Sequence, residues 1–309
     1  MVMCRRALHF VFKVGHRGRT VEFFRTVLGM KILRHEEFNE GCKASCNGPY
    51  DGKWSKTMVG YGSEDNHFVM ELTYNYGISS YKLGNDFQCI YINHPDAYNR
   101  ILSGAWPTLH SSDESKVEVE MPGGYKFRIY NREPDGDPVN MVVLSCSDLK
   151  RSIRMSFWHF LFIAMTEYWS RKCGMSLLSS TSTDAVFSFG SGQCSLKLVA
   201  VTVPIDHASA FGRIAFACPQ EQLFGLQQLM DAEKETILKR LVSLDTPGKA
   251  TVEVIILADP DGHEICFVGG EAFGKLSQVD PNAERLLTEA MVSDRSDDWF
   301  EKHGGKATQ

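Results

Sequence analysis

The stretch MPGGYKFRIY (residues 121–130) has a counterpart in DPDGHEICFV (residues 259–268). Each places a turn containing Pro and Gly directly before a short apolar strand. A second pair, VLGMKIL (27–33) and KCGMSLL (172–178), has a glycine that ends a helix just before a strand begins. Internal similarity of this kind indicates a chain built from repeated units.

Four units with the order β-α-β-β-β account for most of the chain, and their first strands begin near residues 7, 88, 139 and 212. A stretch rich in Pro, Gly and Asp at 132–138 divides these units two and two. We therefore predict an α+β fold of two tandem domains, residues 1–133 and 137–270, each made of two paired modules. A helical pattern over 271–309 predicts a C-terminal tail.

The third unit carries an insert. From Gly15 to Gly29 is 14 residues, whereas from Ser147 to Gly174 is 27, an excess of 13. The apolar stretch RMSFWHFLFIAMT (154–166) accounts for this excess. It is shorter than the roughly 18–20 residues that a membrane-spanning helix needs, so we interpret it as an insert without a role in the shared function.

The composition is that of a globular protein, with 43% hydrophobic and 23% charged residues and a net charge of −5. Without a basic run, nucleic acid and anionic membranes are not expected partners. We expect a small-molecule substrate and a chain that acts as a monomer or homodimer. We predict a cytoplasmic protein; the basic N-terminus allows mitochondrial import, without cleavage because the first strand starts there.

Nine cysteines are scattered along the chain with no C-x-x-C pair. An odd number in this arrangement predicts free thiols in a reducing compartment rather than a disulfide framework. Cys42 and Cys46 are interpreted as loop cysteines; the alternative is half of a zinc site, for which no second pair supplies the other ligands.

The repeated units, together with ELTYNYG (71–77) and DPDGHEI (259–265), resemble the vicinal-oxygen-chelate superfamily, and glyoxalase I in particular. The resemblance implies strands that form a cup around a divalent metal, with one ligand from the first and one from the last strand of each unit. It implies a lactoylglutathione lyase-like enzyme that detoxifies methylglyoxal or related dicarbonyls through a glutathione hemithioacetal. Glutathione would be the co-substrate, and one zinc- or nickel-like ion would stabilise the developing negative oxygen.

In the first unit the resemblance assigns the two ligand positions to His9 and Glu71. A carboxylate in mid-strand must face water or have a partner, which suits this assignment. Lys13 shares a strand face with His9, and Asn75 shares one with Glu71. These two match family positions that contact glutathione, although Lys13 stands where the family has arginine and lacks its bidentate geometry. By the same alternation, Leu8 should face away from His9.

The other units depart from the family pattern. Their ligand positions hold Cys89 and Arg128, Met141 and Lys197, and Arg213 and Cys266. If the first unit pairs with the fourth, one cup holds His9, Glu71, Arg213 and Cys266. If it pairs with the second unit, Cys89 and Arg128 complete the cup instead. We predict His9, Glu71 and Cys266 as metal ligands and Arg213 as a substrate-binding residue.

Alternatives to this site remain open. An arginine beside Glu71 could form a salt bridge in place of a metal, and the protein would then be a metal-free metabolite-binding or regulatory member of the family. An extradiol dioxygenase is less favoured because the cup has one histidine. The family's catalytic base is missing, so Glu264 is a weak candidate base; the alternative is a solvated strand-end residue. His263, which follows a turn glycine, is predicted to be exposed.

Overall fold

A computed structural model describes residues 5–109, 113–147, 167–246 and 249–302. The predicted insert at 154–166 lies outside these described residues. Two eight-stranded sheets dominate the fold, with short helices between the first and second strands of the modules and at the C-terminus. This is the α+β architecture that the repeats predict.

The first and fourth modules have the following bounds. The first comprises β1 (Arg6–Lys13), α1 (Arg17–Glu22), β2 (Lys31–Phe38), β3 (Trp54–Gly60) and β4 (Val69–Asn75). The fourth comprises β13 (Arg213–Cys218), α3 (Gln222–Ala232), β14 (Ile237–Asp245), β15 (Thr251–Ala258) and β16 (Glu264–Gly269).

The second and third modules follow the same order. The second comprises β5 (Phe87–Asn93), α2 (Pro95–Arg100), β6 (Thr108–Leu109), β7 (Lys116–Glu120) and β8 (Lys126–Tyr130). The third comprises β9 (Val139–Ser147), a π-helical turn (Tyr168–Lys172), β10 (Ser176–Ser180), β11 (Asp184–Ser188) and β12 (Ser195–Val201). Helices α1 and α2 also continue into π-helical turns, at Phe23–Val27 and Ile101–Ala105.

The strand order shows which modules share a sheet. The first sheet runs β14-β15-β16-β13-β1-β4-β3-β2, and the second runs β10-β11-β12-β9-β5-β8-β7-β6. The first module therefore pairs with the fourth, and the second with the third. Antiparallel contacts between first strands, β1 with β13 and β5 with β9, join the modules. Each sheet thus takes one module from each half of the chain.

Gly29 and Gly174 show why the repeat could be recognised in the sequence. Their φ angles are +76° and +77°, in the left-handed region that glycine adopts without a steric penalty. Each follows a π-helical turn and precedes the second strand of its module. Both positions confirm the predicted helix-ending glycines.

The hydrophobic core lies between the two sheets, where Phe10 and Phe12 of β1 pack against aromatic residues of the second module. The opposite face of the first sheet is the concave one. Leu8 packs on that concave side with Ala215 and Val268, so its predicted orientation was wrong. The pairing of β1 with β13 shifts between Ala7 and His9, and such an irregularity breaks strict alternation.

The C-terminal tail is helical as predicted, with α4 (Gly270–Leu276), α5 (Ala283–Ser293) and α6 (Ser296–Lys302). Helix α4 places Phe273 and Leu276 against the concave face of the first sheet. Leu287 of α5 is buried in the main core. No helix within the described residues has the length and apolar character needed to cross a bilayer.

Candidate functional site

A cavity of about 580 Å³ occupies the concave face of the first sheet. Its charged lining includes His9, Arg34, Lys56, Glu71 and Arg213. Apolar side chains line the rest, and Phe273 among them lies beside His9, with ring centres 6.3 Å apart; these residues are Leu244, Val252, Val254, Ile256, Val268, Phe273 and Leu276. A mainly apolar hollow with a few convergent polar groups is typical of a small-molecule site.

His9 and Glu71 meet in the cavity because both side chains project from the concave face of adjacent parallel strands. His9 Nε2 lies 3.6 Å from Glu71 Oε2, beyond ordinary hydrogen-bond length. Two donors on one tetrahedral zinc ion at ordinary bond lengths are separated by about 3.4 Å. The separation therefore fits a shared ion better than a direct bond between the two side chains.

Glu64, in the loop between β3 and β4, holds His9 from behind. His9 Nδ1 and Glu64 Oε1 are 2.6 Å apart, and Arg34 Nη2 donates to Glu64 Oε2 at 2.7 Å. Burial would raise the pKa of Glu64, but His9 and Arg34 more than offset it and hold that pKa below its ordinary value. The ionised carboxylate accepts the Nδ1–H, which leaves His9 Nε2 facing the cavity.

Cys266, the third predicted ligand, lies on β16, and its sulfur is more than 4.8 Å from at least one of the ligand atoms of His9 and Glu71. It pairs across the sheet with Ala215, which in turn pairs with His9, so the three residues form one row on the concave face. Burial raises the pKa of the Cys266 thiol to about 12. A bound metal would have to displace this proton, because the thiolate is the form that ligates.

Arg213 is bound to Glu264 rather than to Glu71. Its guanidinium donates to Glu264 Oε2 at 2.6 and 2.8 Å and to the carbonyl oxygen of Ala44 at 3.0 Å. The alternative of an arginine neutralising Glu71 is therefore wrong. Glu264 is an ion-pair partner and not a solvated strand-end residue, and it is not among the residues that line the cavity.

The two predicted glutathione contacts do not line the cavity either. Lys13 Nζ donates to the Phe211 carbonyl at 2.8 Å and lies 3.1 Å from the centre of the Phe211 ring. Burial lowers the pKa of Lys13 to about 7. Asn75 donates to the Asn47 carbonyl oxygen and the Tyr81 hydroxyl, both within 3.0 Å. The cations that do line the cavity are Arg34, Lys43, Lys56 and Arg213.

The loop between β2 and β3 closes one side of the cavity, and Cys42 and Cys46 form a disulfide within it. This corrects the expectation of free thiols at these two positions, because the turn between them brings their Cα atoms to 5.4 Å. Cys89, Cys173, Cys194, Cys218 and Cys266 are free thiols.

The second sheet has ion pairs at the equivalent positions. Arg128 pairs with Glu118 at 2.8 Å, and Lys197 pairs with Asp184 at 3.3 Å. Burial raises the pKa of the Cys89 thiol to about 11. Arg128 and Lys197 are therefore each neutralised by a carboxylate of their own module.

Sequence reasoning placed His9, Glu71 and Cys266 in one cup but missed Glu64. Glu64 lies in a loop that belongs to no recognisable motif, and its partner Arg34 is 30 residues away. The prediction that His263 is exposed was also wrong, since this side chain is buried. The carboxylate of Asp259 accepts the backbone N–H of His263 and turns the chain inward.

Comparison with known proteins identifies the family. The family model described as "Glyoxalase domain-containing protein 4-like, C-terminal domain" matches residues 162–276. Glyoxalase domain-containing protein 4 of Mus musculus is 55% identical over 96% of this chain and 96% of its own length. Glyoxalase 1 of Caenorhabditis elegans is 44% identical over 96% of this chain and 100% of its own length.

The solved structures agree at the level of the fold. The crystal structure of glyoxalase I from Zea mays matches with a TM-score of 0.66 and 24% identity, covering 88% of this chain and 95% of that one. The chain therefore belongs to the glyoxalase domain-containing protein 4 family, within the vicinal-oxygen-chelate superfamily.

Proposed function

We propose that the cavity of the first sheet is the active site of a lactoylglutathione lyase-like enzyme. Its substrate would be a glutathione hemithioacetal of methylglyoxal or a related dicarbonyl. The observation that carries this proposal is the pair His9 Nε2 and Glu71 Oε2, 3.6 Å apart in the cavity, with Glu64 fixing the imidazole from behind. The name Glyoxalase 1, given to a relative 44% identical to this chain, supports it.

One divalent metal ion, zinc- or nickel-like, would be held by His9, Glu71 and Cys266. Imidazole, carboxylate and thiolate are all donors that zinc accepts. When bound, the ion would supply Lewis-acid stabilisation of a developing negative oxygen. Glu64 would keep the imidazole in the tautomer that leaves Nε2 free, as carboxylates behind metal-binding histidines commonly do.

Proton transfer in this proposal falls to Glu71. The carboxylates that line the cavity are Glu37, Glu40, Glu71 and Asp245, and Glu71 is the one beside His9. Glu264 is less suitable because Arg213 binds it. A general base must lie within reach of the proton that it removes, and the glutathione hemithioacetal would have to sit against β4.

Substrate recognition would use the cations that the cavity exposes rather than Lys13. Lys43 is exposed at the rim, and Lys56 lies deeper, so either could pair with a carboxylate of glutathione. The apolar lining, which includes Phe273 and Leu276 of α4, would exclude water from the reacting centre.

Binding without turnover is the second candidate function. It is favoured by the Arg213–Glu264 ion pair, which occupies one ligand position and engages the alternative base. The protonated Cys266 occupies another ligand position. In this case the cavity would hold a small metabolite for a regulatory purpose.

Turnover separates the two candidates. Tag-free protein loaded with Zn²⁺ or Ni²⁺ should form S-lactoylglutathione from methylglyoxal and glutathione, followed by its ultraviolet absorbance. Glu71→Gln should lower kcat/KM by about 100-fold or more. Glu40→Gln, which removes an exposed carboxylate from the same cavity, should leave activity unchanged.

No turnover by loaded wild-type protein would favour the binding function. Full activity in Glu71→Gln would contradict the assignment of Glu71.

A further inference from the structure

Asp86, His207 and His263 meet at the junction of the two sheets, outside the cavity. Asp86 immediately precedes β5, His207 lies in the segment between β12 and β13, and His263 immediately precedes β16. One potential ligand atom from each lies within 4.8 Å of the other two. Three distant parts of the chain therefore bring two imidazoles and a carboxylate together.

Hydrogen bonds to backbone carbonyls orient both histidines. His207 Nε2 lies 2.9 Å from the Asp261 carbonyl oxygen, and His263 Nε2 lies 2.7 Å from that of Ser145. A carbonyl oxygen only accepts, so Nε2 must carry the proton in each ring. This leaves Nδ1 of His263 as the nitrogen available to a ligand. Nδ1 of His207 makes a hydrogen bond with Asp86 at 2.9 Å, which raises the pKa of His207, so a bound ion would have to take the place of that proton.

Asp86 supplies the negative charge. Its Oδ2 lies 2.9 Å from His207 Nδ1, while its Oδ1 accepts the backbone N–H of Phe87. Asp86 and His263 are buried, and the side chain of His207 is 27% exposed. Buried donors with one partly open side give a site that is shielded from water but still accessible to an ion.

The surrounding backbone holds these residues in place. The two linkers that carry Asp86 and His207 are joined by reciprocal hydrogen bonds between Asn85 and Asp206, at 2.7 and 2.8 Å. The carboxylate of Asp259 fixes the turn before His263 by accepting its N–H at 2.9 Å. A preorganised shell of this kind is what a metal site needs.

We infer that Asp86, His207 and His263 form a binding site for a divalent transition-metal ion of the Zn²⁺ class. Two imidazole nitrogens and one carboxylate oxygen suit such an ion, with a water molecule as the remaining ligand. The ion would join the linker before β5 to the fourth module. This site is separate from His9 and Glu71, and it does not depend on the proposed lyase function.

Counting bound ions tests the inference. Tag-free, full-length protein is stripped with a chelator and then titrated with Co²⁺ and Zn²⁺, with the ions counted by mass spectrometry. His207→Gln should bind one ion fewer than wild type, and Asp86→Asn should weaken binding of that ion by at least about tenfold. His9→Gln, the control for the cavity, should retain it.

His207 is partly exposed, so His207→Gln should fold normally, and circular dichroism checks that it does. Equal stoichiometry and affinity in wild type, His207→Gln and His263→Gln would overturn the inference. Failure of the lyase proposal has a different result. A protein that binds no ion in the cavity would still bind one ion at Asp86, His207 and His263, and His207→Gln would remove it.

Discussion

The two sheets of this protein arrange their modules in the same strand order but have different side chains at the equivalent ligand positions. In the first, His9, Glu71 and Glu64 form a buried cluster, of which His9 and Glu71 line a cavity. In the second, the equivalent ligand positions hold Arg128 and Lys197, each paired with a carboxylate of its own module. The same backbone can therefore support either a donor cluster or simple ion pairs.

The comparison shows that the turns of the modules determine the fold, whereas a few side chains determine its chemistry. Gly29 and Gly174 both adopt a left-handed conformation that ends a helical turn before the second strand of a module. His9 and Met141, at matching positions of β1 and β9, have nothing in common chemically. Function must therefore be argued from the site and not from the fold.

Replacing Glu64 should have the largest effect on stability. Glu64→Leu would leave Arg34 and His9 buried without their shared carboxylate, and should lower the free energy of unfolding by about 3–5 kcal/mol. In the second sheet, Glu118→Leu removes a partly exposed partner of Arg128 and should cost less than about 1 kcal/mol. Urea unfolding of both variants measures the difference, and equal losses would contradict the special role of the first cluster.

Asn75→Ala should have the next largest effect. The Asn47 carbonyl and the Tyr81 hydroxyl would lose a buried partner, so we expect a loss of about 1–3 kcal/mol in the free energy of unfolding. KM should change little, because Asn75 does not line the cavity. Asn39→Ala, at the exposed rim, should leave stability unchanged. A raised KM with unchanged stability would instead restore Asn75 as a glutathione contact.

Lys13 should make stability depend on pH. Its pKa is lowered by burial from 10.5 to about 7, so between these values the unfolded chain binds the proton that the folded chain has lost. Stability should therefore rise with pH across this window, by at most about 1.4 kcal/mol per pH unit for one group. Below pH 7 both states are protonated and the destabilisation is complete.

Lys13→Met should remove this rise and increase stability most at the acidic end of the window. Lys126 is an exposed lysine of the second sheet, so Lys126→Met should change neither the stability nor its dependence on pH. Urea unfolding at several pH values compares the three proteins. A wild-type stability that is flat from pH 7 to pH 10 would show that Lys13 keeps its ordinary pKa.

The architecture could be predicted from the sequence because turn glycines and strand patterns repeat at fixed positions. The pairing of modules could not, because each module presents a similar first strand to any partner. The family resemblance placed His9 and Glu71 in one cup, and both line the cavity. The loop residue Glu64 had no such regularity.

Distant partners explain the remaining differences between sequence and structure. Lys13 binds Phe211, and Arg213 binds Glu264 in its own module instead of Glu71. The buried His263 ring makes a hydrogen bond with the carbonyl oxygen of Ser145 in the third module. Such contacts join separate strands or loops, so the pattern within one strand cannot indicate them.

The most direct test is the cobalt spectrum of the first sheet. In a His207→Gln background, one Co²⁺ should bind with a thiolate-to-metal absorption band that Cys266→Ser removes and Cys89→Ser retains. Binding should also weaken in His9→Gln. If no Co²⁺ binds, or if the band survives in Cys266→Ser, the donor cluster of His9, Glu71 and Cys266 is not a metal site.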